Sequence, residues 1–370
     1  MPDQHAVLGP SKAHRWLRCT ASIALEETLP VPPTSEAAKE GSLAHAMAED
    51  KLRAWLDSGE SLSGCSPEPE MDEATDAYVD LVKTIANDLH GTVAVEQHLD
   101  LGHIIPGGFG KADAVIIGGE VLHVVDLKYG RGVRVEAEGN PQLRLYALGA
   151  LAAFEPLYDV ETVRMTIVQP RLDAVSTAEM SRTDLEEWGR TVVAPAAKAA
   201  LDGTGVFRAG DWCRWCRAKA ICRARAEENL ALARREMAPA PALTPEELAD
   251  VITRGRRLAA WVKDVEEHAT AALTAGEGVP GLKLVAGRGR RVFTDAEAAA
   301  DAAERAGYAS RETRPLPLTA LEKSMGRKKF AEVLGELVTK TEGAPLLVAA
   351  SDPRPAWEPV TPQSEFTKEN

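Results

Sequence analysis

Apolar positions recur at helical intervals over residues 1–90 and predict three helices. The first spans 11–29, with Ser11 as its N-cap, and stops at the Pro-rich "PVPPTSE", where a helix cannot continue. The second spans 35–55 and places Leu43, Met47, Leu52 and Trp55 on one apolar side; after the turn-rich "DSGESLSGCSPEPE", the third spans 71–89. The period then changes to two. In "VAVEQHLDL", Val93, Val95, Leu99 and Leu101 alternate with Glu96, His98 and Asp100, as a half-buried strand requires. Two more strands, "GFGKADAVIIG" and "EVLHVVDLKYG", meet at Gly118-Gly119, a hairpin signal. A helix over 141–154, a strand over 162–169 and a helix over 183–201 follow. Beyond a cysteine-rich knot, 218–237 reads as helix, and "APAPALTPEE" as a break between domains. The remainder is mainly helical, beginning with 244–275, apart from a short basic strand in "GLKLVAGRGRRVF"; the polar, Pro-containing tail from Ser351 reads as disordered.

This order predicts an α/β fold with a helical N-terminal part (1–90), a core with the cysteine knot (91–235), a mainly helical C-terminal domain (244–350) and a tail (351–370). Composition agrees: 370 residues, 45% hydrophobic and 27% charged, describe an ordinary globular chain rather than a disordered or fibrous one. No run approaches the ~20 apolar residues of a membrane span. The N-terminus lacks a basic start followed by an apolar core, so a cytoplasmic location with no membrane partner is expected. The formal charge of -13, from 43 basic and 56 acidic residues, excludes a uniformly basic nucleic-acid coat. It leaves room for a local basic groove, and for carboxylates that hold a metal.

The sharpest chemical feature is Asp126-Leu127-Lys128 at the end of an apolar strand. Alternation puts Asp126 and Lys128 on one face. If the Gly-Gly hairpin pairs the strands, Asp113 of "GKAD" approaches Asp126, and the two carboxylates suit a hard cation, Mg2+ or Mn2+. A lone D-x-K is more often a strand-end ion pair, so its company matters. Gln142 and Tyr146 are four apart on one helix face, and His45 lies on a helix just after Gly41. Five cysteines are too few for a secreted disulfide framework, but Cys213, Cys216 and Cys222 form a C-x2-C-x5-C run that needs a fourth ligand.

The series Gly41 to His45, Glu96, Gly110-Lys111-Ala112-Asp113, Asp126-Leu127-Lys128 and Gln142-x3-Tyr146 resembles the PD-(D/E)XK nucleases, closest to the branch of the RecB nuclease domain, AddB and the Cas-four nucleases. The overall layout resembles a phage and prophage family related to Cas-four. The resemblance covers about 11–222, with Leu127 where the family usually has an aromatic. It implies a restriction-endonuclease-like core, a mixed central sheet flanked by helices, with a helical N-terminal part and a helical C-terminal extension. It also implies a metal-dependent DNA nuclease, an exonuclease acting in recombination, repair or replication. By the same resemblance His45, Asp113, Asp126 and the Leu127 carbonyl hold Mg2+ or Mn2+, Lys128 assists catalysis, Gln142 and Tyr146 support the site, and Glu96 is a further acid. Lys111, Arg131, Arg134 and Arg144 are the nearest substrate-binding candidates, with Arg288, Arg290, Arg291, Arg327, Lys328 and Lys329 farther off. Cys19 with Cys213, Cys216 and Cys222 matches the family's 4Fe-4S ligands, zinc being the alternative. Cys65 is left as a free thiol, and Trp212 and Trp215 as packing around the cluster. Expected partners are single-stranded or duplex DNA, a single-strand annealing protein or helicase, and further copies of the chain. The competing expectations are a non-catalytic DNA-binding scaffold and a zinc-stabilised interaction module.

Overall fold

Five strands form one mixed sheet in the order β1-β2-β3-β4-β5. In this computed structural model, residues 6–59, 62, 69–233, 244–285, 295–305, 316–339 and 352 are described. Cys65, the Arg288, Arg290 and Arg291 cluster, the break at 238–243 and nearly all of the tail lie outside them. By backbone contacts the chain divides into two units, Met1–Pro315 and Leu316–Asn370.

Within the first unit, α1 (Ala13–Trp16) and α2 (Ser22–Glu27) replace the single helix expected over 11–29. The break is tertiary in origin. The Cys19–Ala21 turn docks a later segment: the Val206 N–H donates to Thr20 Oγ1 (2.8 Å) and the Arg208 N–H to Cys19 Sγ (3.4 Å). The Ala21 N–H, which a continuous helix would bond to the Leu17 carbonyl, instead donates to the Val206 carbonyl (3.4 Å). Helix α3 (Glu36–Ser58) begins where expected because the Ser35 hydroxyl accepts from the Ala38 N–H. Its buried stripe is Ala44, Met47, Ala48, Lys51 and Leu52, so Leu43 is exposed instead of sharing the apolar side. Lys51 is buried against α4 (Pro69–Leu89), where it reaches Asp72 (2.8 Å), Asp76 (2.6 Å) and Thr75 (2.9 Å). An ammonium so enclosed is tolerated because two carboxylates and a hydroxyl replace its water.

Strands β1 (Thr92–Asp100), β2 (Phe109–Gly118) and β3 (Val121–Leu127) run antiparallel. The β2–β3 hairpin turns on Gly119 (φ 58°), the positive first loop position of a II′-type turn. Helix α5 (Pro141–Phe154), capped by Asn140, then crosses over to β4 (Thr162–Gln169), which is parallel to β3. Strand β5 (Ala174–Ser181) pairs antiparallel with β4. Sequence pattern misses β5 because an edge strand reading "AVSTAEMS" has too few apolar positions to alternate. Helix α5 covers one face of the sheet, meeting Leu99, Val115, Val124 and Met165, while α3 and α4 cover Val95, Ala114, Ile116 and Val125 on the other. The result is a mixed α/β fold with helices on both faces, as the sequence predicts.

Helices α6 (Arg182–Trp188) and α7 (Ala194–Leu201) are joined by the π-turn Gly189–Val193, in the place of the helix expected over 183–201. Helix α8 (Arg223–Ala233) starts five residues later than the expected 218, because 218–222 form turns that present Cys222. Helix α9 (Pro245–Thr274) opens on a capping box of Thr244 and Glu247, close to the 244–275 expected, and α10 (Ala296–Arg305) follows. Residues 281–285 are not in a strand, contrary to expectation, and the rest of that segment lies outside the described residues. In the second unit, α11 (Leu318–Met325) and α12 (Arg327–Leu334) meet at Gly326. No helix among the described residues is long and apolar enough to cross a membrane.

His123 is buried on β3 and shares a hydrogen bond with Thr166 (2.7 Å), which in turn shares one with Thr177 (2.8 Å). Burial and the nearby Arg164 lower its pKa to about 4. The unfolded chain therefore binds the extra proton as pH falls through about 6.5, and the folded chain only near 4. Stability should fall across that window by about 3 kcal/mol and not change from this source above it. Urea unfolding of wild type and His123→Gln across that range should show the variant losing this component of the slope.

Candidate functional site

The site forms where β1 and β2 change faces. Val95 packs towards α3 and α4 but Leu99 towards α5, and Ala114 and Ala112 divide in the same way. Strict alternation would put each pair on one face. The ladder omits a single opposed pair, Glu96 with Asp113, and resumes in the same register. Glu96 has φ 49°, a left-handed conformation that costs a non-glycine residue of order 1 kcal/mol. The face expected to carry Val93, Val95, Leu99 and Leu101 together is thus split by this twist, and two carboxylates sit at the crossing.

Asp113 ties three elements together. Its Oδ1 lies 3.1 Å from His45 Nδ1 on α3, and its Oδ2 accepts the Leu127 N–H of β3 at 2.7 Å. Ligand atoms of His45, Glu96 and Asp113 all lie within 4.8 Å of one another, a group that fits a divalent metal. Next to it, Lys128 Nζ lies 2.8 Å from Asp126 Oδ2 and donates to Gln142 Oε1 at 3.1 Å. The Gln142 amide donates in turn to Asp126 Oδ1 (3.3 Å) and to Tyr146 Oη (3.1 Å). Gly110 makes room for this arrangement: a Cβ there would meet the Tyr146 ring at 2.9 Å and Pro10 at 2.7 Å. The structure brings together His45, Glu96, Asp113, Asp126, Lys128, Gln142 and Tyr146, and holds Leu127 by its N–H.

Burial and crowding set the charges. Asp126 is 2% exposed, and burial raises its pKa, with Lys128 opposing the shift and Asp113 adding to it. Its buried Oδ2 has the nearby ammonium but no well-directed hydrogen bond, which leaves a lone pair for a cation. Burial raises Glu96 as well, against the pull of Lys111 (2.6 Å). For His45 burial works against protonation, yet Asp113 and Asp126 outweigh it and the pKa is raised. Lys128 behaves likewise, its burial outweighed by Asp126 and Asp113. An acidic pocket that draws in protons is also one that draws in a metal ion.

The basic residues are placed unequally. Lys111 lies against Glu96, Arg131 against Glu70 and Arg134 against Glu136 (2.6 Å), whereas Arg144 lies over the Trp188 ring (5.6 Å), away from Gln142 and Tyr146 on α5. Sequence reasoning missed Tyr78 and Arg171. Tyr78 is a buried helix residue whose hydroxyl donates to the Val125 carbonyl (3.3 Å) beneath the carboxylates, and it reads in sequence as ordinary core. Arg171 stacks on Tyr129 (4.5 Å) and pairs with Glu40 (3.2 Å) and Glu70 (3.4 Å), from a short turn with no motif to mark it.

A second constellation joins the two ends of the sheet domain. Cys19, Cys213, Cys216 and Cys222 are all free thiols and line one small cavity. Burial pushes the Cys216 thiol up to about 12. Trp212 donates to the Arg208 carbonyl (2.8 Å), but Trp215 is 67% exposed, so the packing role expected for it is not what the structure shows.

The metal group makes a direct prediction. At Mn2+ a hundredfold above its Kd, wild-type protein should gain about 2.7 kcal/mol of stability. Thermal melting should show that gain abolished in Asp113→Asn, which keeps a hydrogen-bonding side chain and hence the metal-free fold.

Among solved structures, the chain is similar to SSO0001 (15% identity, TM-score 0.25), over 55% of this chain and 95% of that one. It is also similar to a protein from Eubacterium rectale described as a "Putative exonuclease" (10% identity, TM-score 0.32), over 64% of this chain and 90% of that one. Residues 5–355 match the family described as "Protein of unknown function (DUF2800)", and the chain belongs to that family.

Proposed function

We propose that this protein is a metal-dependent DNA nuclease of the PD-(D/E)XK type, acting as an exonuclease. The observation that carries the reading is the meeting of Asp113, Asp126 and Lys128 at one end of the sheet, with His45 and Glu96 beside them. His45, Asp113 and Asp126, with Glu96 as a further acid, would hold Mg2+ or Mn2+. That ion supplies positive charge for phosphate oxygens and acidifies water.

The chain's own residues do the rest. Lys128, with its raised pKa, stays protonated at neutral pH and so donates to the scissile phosphate or to the attacking water instead of abstracting a proton. Gln142 accepts from Lys128 and donates to Asp126, which fixes the ammonium relative to the carboxylate. Tyr146 limits how Gln142 can rotate. Lys111, Arg131 and Arg134 exchange their carboxylate partners for DNA phosphates, a contact that weakens with salt. DNA is the partner this reading requires, and unwinding or annealing would come from other proteins.

The four cysteines are read here as ligands of a 4Fe-4S cluster. Thiolates are the soft ligands such clusters take, and zinc, which four cysteines also hold tetrahedrally, is the competing occupant.

Digestion of end-labelled single-stranded and duplex DNA by anaerobically purified protein tests the activity. Cleavage should require Mn2+ or Mg2+ and should fall about a hundredfold or more in Lys128→Ala. Full activity in that variant would place catalysis elsewhere. No cleavage by folded, metal-loaded wild type would favour a DNA-binding scaffold.

A further inference from the structure

Arg15 is 6% exposed, and only one end of its guanidinium is accounted for. Nη1 pairs with buried Glu26 and donates to the Trp215 carbonyl (3.3 Å). Nε and Nη2 are fully buried without a hydrogen-bond partner, and so is the hydroxyl of Ser22, itself 2% exposed. Leaving such donors unmet costs about 1–3 kcal/mol each, and more when the group is charged. All three belong to residues that line the cavity of Cys19, Cys213, Cys216 and Cys222.

We propose that Arg15, with Ser22 beside it, is the internal counter-cation and hydrogen-bond donor of the centre the four cysteines hold. This rests on the reading of the cysteines as metal ligands. Four thiolates around either a 4Fe-4S core or a zinc ion leave a net negative charge in a buried pocket, where it is costly unless compensated. Arg15 brings a permanent positive charge and a rigid fork of donors, and because Arg217 also pairs with Glu26 (3.7 Å) the group of two arginines and one carboxylate keeps one net positive charge. Glu26 holds that fork in place, and itself accepts the Arg217 N–H (2.7 Å) from the loop between Cys216 and Cys222. The ion pair therefore links the segment bearing Cys19 to the segment bearing the other three ligands. Arg15 acts through the sulfurs, as a positioning residue.

The test compares anaerobically purified full-length wild type, Arg15→Lys and Ser22→Ala. Lysine keeps the ion pair with Glu26 but removes the fork, and the serine change removes one hydroxyl. In Arg15→Lys, iron should be lost to a chelator about tenfold faster, the usual scale for losing an outer partner of a metal ligand. The midpoint potential in a dithionite titration should move to more negative values, because donors to sulfur favour the reduced, more negative centre. Ser22→Ala should shift both readouts in the same direction by less. If Arg15→Lys fails to fold, the double variant Arg15→Leu with Glu26→Gln, which removes both charges of the buried pair and keeps an acceptor for the Arg217 N–H, serves in its place. If wild type carries zinc, the release rate decides. Wild type with an intact centre whose retention and potential are matched by the variants overturns the role of Arg15 alone. Wild type holding neither iron nor zinc overturns the metal reading and this inference with it.

Discussion

One carboxylate, that of Asp113, accepts from the backbone of β3 and faces a histidine on α3, and the site depends on its holding both at once. Its bond to the Leu127 N–H fixes where β3 ends relative to β2, and so where Asp126 and Lys128 emerge. Its contact with His45 fixes how far α3 reaches over the end of the sheet. Charge-assisted bonds of this kind are about twice as strong as neutral ones, and the low dielectric of a protein interior strengthens them further. Loss of either contact would leave the histidine on a helix and the lysine on a strand with nothing to keep them together.

The cost of that convergence is visible in the backbone and in the charges. Glu96 takes a left-handed conformation to bring its carboxylate beside Asp113, and both strands change faces around the pair. Burial and repulsion from Asp113 raise the pKa of Asp126 and of Glu96, offset in part by Lys128 and His45 at the first and by Lys111 at the second. Such a site is poised for a cation, because an ion with two positive charges relieves strain that single ammonium groups leave in place.

The cysteine pocket solves a different problem. The turn after α1 and the knot after α7 are far apart in sequence, and hydrogen bonds from Val206 and Arg208 to Thr20 and Cys19 bring them together. The buried Arg15–Glu26 pair joins α1 to α2 and reaches the knot through the Trp215 carbonyl and the Arg217 N–H. The nuclease reading needs both ends of the core held, since α5 carries Gln142 and Tyr146 and packs directly against α1.

The local elements were legible because their signals are local. Asn140 before Pro141 caps α5, Thr244 with Glu247 boxes the start of α9, and Gly118-Gly119 closes the hairpin. The D-x-K spacing alone places Asp126 and Lys128 on one face, and the sequence motifs named most of the residues that meet at the site. What only the tertiary structure decided are the features in which distant groups compete with local preference. The helix over 11–29 breaks because later backbone claims its turn, Leu43 turns outward while Lys51 is drawn in by α4, and β1 reverses its faces where Glu96 takes a left-handed conformation. Arg15 and Arg171 have no signature at all, since a guanidinium acquires its role from the groups that surround it. Sequence by itself determines the period, the caps and the chemistry each side chain offers; which of them meet is a property of long-range packing, where a single hydrogen bond outweighs a weak local propensity.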